Sequence, residues 1–177
     1  MSGGTRARSF KLHLKNSLAL RPFAPEDVGP LMALFRDSVR KVARRDYSDE
    51  QVRAWAPDEM DIAAFGARLG RQTVLVAIEG EAIAGFAALD GQGHIDLLFV
   101  HPDHQRKGAG RLLLQGMEDA ARATGLPRLS AHVSLTARPL FEAMGFAALA
   151  ARQVPLRGQI LTNFRMEKPL QTPGQPS

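Results

Sequence analysis

Cysteine is absent from the 177 residues, which removes disulfides, thiolate metal sites and cysteine nucleophiles together. Aromatics are sparse, at 6%, with one tryptophan (Trp55) and one tyrosine (Tyr47), so any phenol chemistry rests on a single side chain. No apolar run approaches the roughly 20 residues that a bilayer-crossing helix needs. The N-terminus lacks the apolar centre of a secretory leader, and no segment repeats. These absences lead us to expect a cytoplasmic protein with no membrane role.

The composition that remains, 45% hydrophobic and 23% charged, is that of a globular protein long enough for one domain with a real core. The net charge of +5 suggests nucleic acid until it is located. Four of those charges are Arg6, Arg8, Lys11 and Lys15, all before Ser17 and with no acidic residue among them. Residues 1–17 therefore read as a flexible basic tail, 18–168 as the folded domain, and 169–177 as a flexible polar tail. Without a basic aromatic platform in the domain, no nucleic-acid partner is expected.

Periodicity places the elements. Leu18–Phe23 alternates as a strand, and Pro25, Glu26 and Asp27 open a helix carrying Val28, Leu31, Met32, Phe35 and Val39 on one stripe. Ser48 with Gln51 reads as a capping box for a second helix, and Asp58 to Leu69 as a third. Thr73–Ile78, Ala82–Leu89 and His94–Val100 are strand-like runs broken by glycine-containing turns, hence an antiparallel meander. A helix from about Lys107 to Thr124, a strand Arg128–Val133, a short helix at Ala137–Met144 and strands Phe146–Pro155 and Gln159–Lys168 complete a mixed α/β order.

The segment from Val100 to Arg111 carries the chemistry. A strand ends, a loop turns, and a helix begins among Gly108, Ala109 and Gly110, flanked by Arg106, Lys107 and Arg111. The first N–H groups of a helix lack intrahelical partners and sit at the positive end of its dipole, so such a turn is a seat for a pyrophosphate. Small residues would let the anion approach the backbone. A Walker loop does not match. A dinucleotide fingerprint fails at Leu113, where a third small residue is required.

Gln105-x-x-Gly108-x-Gly110, preceded by Val100-x-Pro102, resembles the signature of GNAT-type N-acetyltransferases. Ser134-x-x-Ala137-x-x-Leu140-Phe141-Glu142-x-x-Gly145-Phe146 is similar to a second stretch of that family. The resemblance implies one mixed, mostly antiparallel sheet of six to seven strands, splayed between strands four and five and flanked by helices. It implies acetyl-CoA in the splay, with its pantetheine on the backbone of Leu98, Phe99 and Val100 and its pyrophosphate on Gln105 to Gly110. Ser134 and the Ala137, Leu140 and Phe141 face would flank the thioester. The stretch from Tyr47 to Pro57 also resembles a subgroup of YafP-like bacterial acetyltransferases.

Acyl transfer to an amine needs a proton acceptor. His94 and Asp96 lie two apart on one strand and so share a face; the family places bases at these positions. Histidine titrates near 6.5, whereas an aspartate must be desolvated to work there. Phe141 stands where the family often has a proton-donating tyrosine, leaving Ser134, water or an unassisted departure of the thiolate. Tyr47 and Trp55 fall in the region that builds the acceptor pocket in this family. The expectation is direct transfer in a ternary complex to a primary amine, a small molecule rather than a protein. No metal is expected, and the sequence is compatible with a homodimer. The rival readings are a non-catalytic acyl-CoA sensor and, from His94-x-Asp96 with His132, a mononuclear iron site.

Overall fold

The computed structural model describes residues 17–171; the expected basic tail before Ser17 and most of the expected polar tail lie outside the described residues. Seven strands form one sheet: β1 (Leu18–Pro22), β2 (Thr73–Glu79), β3 (Ala82–Leu89), β4 (His94–Val100), β5 (Arg128–Ser134), β6 (Ala147–Leu156) and β7 (Gln159–Pro169). Their spatial order is β1-β2-β3-β4-β5-β7-β6, and every neighbouring pair is antiparallel except β4 with β5. Five helices cover it: α1 (Val28–Lys41), α2 (Asp49–Trp55), α3 (Ile62–Gly70), α4 (Ala109–Ala123) and α5 (Arg138–Ala143). The expected mixed, mostly antiparallel α/β sheet is therefore present, with seven strands. None of the described helices is long and apolar enough to cross a membrane.

Two apolar layers fill the two faces of this sheet. On one face α4 buries Leu113, Leu114, Met117 and Ala121 against Ala84, Ala87, Leu129 and Met166. On the other, Leu31, Leu34, Phe35 and Val39 of α1 and Phe65 and Leu69 of α3 meet Val76, Phe86, Ala88 and Leu97. Both helical stripes recur every three to four residues, as one buried face requires.

Local chemistry sets the element ends. The capping box forms as expected: Ser48 Oγ accepts from Gln51 N–H at 3.1 Å, and Gln51 Oε1 accepts from Ser48 N–H at 2.9 Å. The third helix starts at Ile62 rather than Asp58, because the Asp61 carboxylate accepts from Ala64 N–H at 2.9 Å and caps it. The fourth starts at Ala109 rather than Lys107, since Gly108 has φ +94°, outside the helical region. The last strand runs to Pro169, and the buried Leu170 donates its N–H to Pro127 O at 2.8 Å.

One irregularity matters for the site. Ala88 faces Leu97 but Leu89 faces Ile95, so Asp96 is an extra residue in β4. Such a bulge puts two consecutive side chains on the same side. Accordingly Ile95 joins the α4 layer and Leu97 the opposite one, and Asp96 points to α3 beside Leu97.

Candidate active site

β4 and β5 touch only at their starts, His94 opposite Ser130 and Ile95 opposite Ala131. Beyond that, β5 pairs with β7 while the far edge of β4 has no strand beside it among the described residues. The sheet splays, as the resemblance implied. Backbone polar groups along Leu97–Val100 on that edge are available to a ligand, because a strand satisfies only alternate groups on each side.

The splay opens into two cavities. The larger, about 770 Å³, is walled by α1, the α2–α3 connection, α3, β4, β5 and the β6–β7 hairpin. The smaller, about 130 Å³, runs toward the β4–α4 turn and is lined by Val100, Gln105, Arg45 and Leu140 among others. Trp55, Leu98, Phe99, Ser134 and Ala137 line both, so the two spaces meet there. A long thin ligand in the smaller space would present its end to whatever occupies the larger one.

The turn into α4 is backbone-built. Gln105 Nε2 donates to Val100 O at 2.8 Å and pins the loop to the strand end. Arg106 at φ +60° and Gly108 at φ +94° reverse the chain so that the Ala109, Gly110 and Arg111 N–H groups begin the helix. The two glycines also do structural work beyond the anion access expected from the sequence. Gly108 supplies the left-handed backbone, and a Cβ there would meet nothing within 4 Å. A Cβ on Gly110 would come 2.6 Å from Leu140 Cδ2, so Gly110 lets α5 pack against α4. Glu79 accepts from His104 Nδ1 at 2.7 Å and lies 3.9 Å from Lys107 Nζ. Arg111 reaches Met144 Sδ at 3.4 Å.

At the vertex of the splay stand His94, Asp96 and His132. His94 Nδ1 lies 2.9 Å from Ser130 Oγ, and its ring meets that of His132 edge-on with centroids 4.8 Å apart. Asp96 is clasped: Arg68 Nε and Nη2 donate to its two oxygens at 2.7 and 2.6 Å, and Gln72 Nε2 donates at 2.7 Å. Burial pushes this carboxyl up, but the hydrogen bonds from Arg68 and Gln72 and the nearby positive charge outweigh it and hold it below the usual range. The desolvation that a basic aspartate needs is therefore present and overridden. For His132, burial, Arg152, His94 and Arg165 all push the imidazole below its ordinary value, keeping it neutral at pH 7. Among the described residues, no group of three His, Cys, Asp or Glu is disposed to hold a metal ion.

Tyr47 is buried, and its hydroxyl is a clamp. It donates to Thr162 O at 2.5 Å and accepts from Leu135 N–H at 2.9 Å, tying the end of β5 to β7. Burial raises its pKa, partly offset by the Leu135 N–H. Its ring meets Trp55 edge-on at 5.5 Å, and Trp55 meets Phe99 at 6.1 Å. Ser134 Oγ accepts from Ala137 N–H at 3.1 Å, leaving its own proton free to donate. Phe141 is buried against Phe146 at 4.9 Å and shows one surface to the larger cavity.

Of the residues singled out in the sequence, Asp96, Ser134, Leu98, Phe99, Ala137, Phe141, Tyr47 and Trp55 line the larger cavity, and Val100, Gln105 and Leu140 the smaller. His94 lies behind Asp96, outside both linings. Arg106 to Arg111 form the turn beyond the smaller one. Sequence reasoning missed Arg68 and Gln72 as site residues and met His132 only as a ligand of the rival iron site. Arg68 had no motif around it, and placing His132 on the cavity wall beside His94 requires knowing that β5 runs parallel beside β4.

Comparison with known proteins agrees with this geometry. The family model of the acetyltransferase (GNAT) domain matches residues 43–168. The curated Escherichia coli protein named uncharacterized N-acetyltransferase YafP is 32% identical over 151 residues, spanning 85% of this chain and 95% of its own. A crystal structure of a GCN5-related N-acetyltransferase from Rhodopseudomonas palustris superposes with a TM-score of 0.84 at 38% identity, covering 89% of this chain and 98% of that one. The PaiA N-acetyltransferase of Thermoplasma acidophilum, solved in complex with coenzyme A, shares the fold at a TM-score of 0.71 and 20% identity, covering 87% of this chain and 99% of that one.

Proposed function

The chain belongs to the GNAT family of acetyltransferases, and from that premise we propose that it moves an acetyl group from acetyl-CoA directly to a small primary amine, without an acyl-enzyme. The observation that carries this reading is the meeting of the two cavities at Trp55, Leu98, Phe99, Ser134 and Ala137. In this reading pantetheine lies along the free edge of β4 at Leu98, Phe99 and Val100. The pyrophosphate rests on the N–H groups of the Gln105–Gly110 turn and the first turn of α4, with Arg106, Lys107 and Arg111 around it. The thioester then ends at the junction, where an amine in the larger cavity can attack.

Acetyl-CoA supplies the activated carbonyl; the chain supplies orientation and a route for protons. The amine lone pair adds to the thioester carbon, the C–S bond breaks, and one N–H proton must leave. His132, neutral and facing the cavity, accepts that proton directly or through a water, and His94 stands behind it. Asp96 acts as a positioning residue: its ion pair fixes Arg68 on the cavity wall and its charge faces His94. The Ser134 hydroxyl donates to the departing thiolate, a task Phe141 cannot perform.

The test is calorimetric titration of acetyl-CoA into the wild type and Gly108→Glu, followed by release of free CoA with a panel of amines. Binding lost in the variant, with release for at least one amine, is the expected result. Absence of binding to the wild type would sink the reading.

A further inference from the structure

The acceptor cavity has an unusual wall for a chain so poor in aromatics. Of the eleven Phe, Trp and Tyr residues in the sequence, six line it: Phe35, Tyr47, Trp55, Phe65, Phe99 and Phe141. Phe35, Trp55 and Phe99 meet edge-to-face at 4.8 and 6.1 Å, so ring faces and edges alternate along the wall. Of the carboxylates lining the same cavity, Asp96 is held by Arg68 and Gln72 and Asp61 caps α3, while Glu59 is exposed on the α2–α3 connection. An alkylammonium at the junction formed by Trp55, Leu98, Phe99, Ser134 and Ala137 would lose its water with no carboxylate among those residues to pair with it. It would also need a base able to deprotonate it before attack, and Asp96, beside Leu97 in β4, already accepts three donors.

We propose that the acceptor is an aromatic amine of the aniline type, its ring against the Trp55–Phe99 wall and its nitrogen toward Ser134 at the junction. This rests on the acetyl-transfer reading above. An aryl nitrogen shares its lone pair with the ring and is unprotonated at neutral pH, so it enters ready to attack. The nitrogen adds to the acetyl carbonyl, giving a tetrahedral adduct with positive nitrogen, which is strongly acidic. Neutral His132 takes that proton, the C–S electron pair leaves with sulfur, and the thiolate is protonated by Ser134, which is recharged from His132 through solvent. The products are the acetanilide and CoA thiol, with no other reactant consumed.

Two features of the chain make the test clean. With no cysteine, a thiol reagent reports only released CoA, and with one tryptophan, fluorescence reports only Trp55, so quenching by the acceptor is read with CoA already saturating. The full chain is supplied with acetyl-CoA and, in parallel, 4-methylaniline, 4-methylbenzylamine or spermidine. At about pH 7 kcat/KM for the aniline is expected to exceed that for the benzylamine by roughly tenfold or more, the ratio shrinking as pH rises toward the alkylamine pKa. Saturable quenching of Trp55 by the aniline is expected in the presence of CoA. Faster turnover of benzylamine or spermidine at neutral pH overturns the aniline-type acceptor but leaves acetyl transfer standing. So does aniline turnover without Trp55 quenching, which removes the wall as its seat. Calorimetric binding of acetyl-CoA with no release from any of the three also overturns this proposal, while failure of acetyl-CoA to bind overturns the transfer reading itself.

Discussion

The turn into α4 and the larger cavity are built by opposite means. The turn is made of consecutive residues, Val100 to Arg111, and presents mainly backbone. The larger cavity is made of side chains from α1, the α2–α3 connection, α3, β4, β5 and the β6–β7 hairpin. A backbone seat depends on φ angles and helix ends, so it holds one kind of ligand and tolerates few sequences. A side-chain wall can be rewritten residue by residue without disturbing the seat. In the proposed function, this difference separates the part of the molecule that holds the shared acyl donor from the part that selects the acceptor.

The sharpest way to break this comparison is Gly108→Glu. It forces a β-carbon into φ +94° and sets a carboxylate beside the helix start. Like-charge repulsion of several kcal/mol should weaken acetyl-CoA about a hundredfold or more by calorimetry, while acceptor quenching of Trp55 persists. If both are lost together, the two regions are not independent. His132→Gln acts the other way. It should lower kcat on the order of a hundredfold in steady-state assays, with the acetyl-CoA dissociation constant unchanged.

Tyr47→Phe tests whether the acceptor side is held together by its clamp. It leaves the Leu135 N–H and the Thr162 carbonyl without the hydroxyl between β5 and β7, and should cost about 1–3 kcal/mol in urea unfolding. Loss of acceptor turnover should exceed any loss of acetyl-CoA affinity. Asp96 adds a pH dependence. Its folded pKa is depressed, so its contribution is full above its unfolded value, near 3.9, and is lost as pH falls through the folded one. Asp96→Asn should therefore lower the melting temperature at neutral pH and flatten the acid limb of the stability profile. The smallest effect expected is Ser48→Ala, about 1 kcal/mol from the cap of α2. Because Gln51 of the same box also donates to Ile160 O at 2.8 Å, that loss should loosen the acceptor wall.

Much of the fold was legible because its signals are local. The capping box at Ser48, the meander from Thr73 to Val100, and Gly125 and Gly145, which follow α4 and α5 at φ +73° and +92°, each act within a few residues. The boundaries that moved did so for local reasons that the pattern hid: Asp61, not Asp58, caps α3, and Gly108 cannot be helical. In the site, the turn could be read and the reason for each of its glycines could not. Gly110 is explained by Leu140, thirty positions away.

The sequence by itself determined the order of elements, the splayed sheet through its resemblance, and the glycine-bearing turn proposed to seat a pyrophosphate, because contiguous residues carry that information. Only the tertiary structure decided what surrounds Asp96, since a one-residue bulge and α3 with the turn after it, 24–28 residues earlier in the chain, bring Arg68 and Gln72 to it. It also decided that His132 stands beside His94, and that six of the scarce aromatics face one cavity. Proximity between distant segments is set by the packing of both faces of the sheet at once, and no stretch of the chain records it alone.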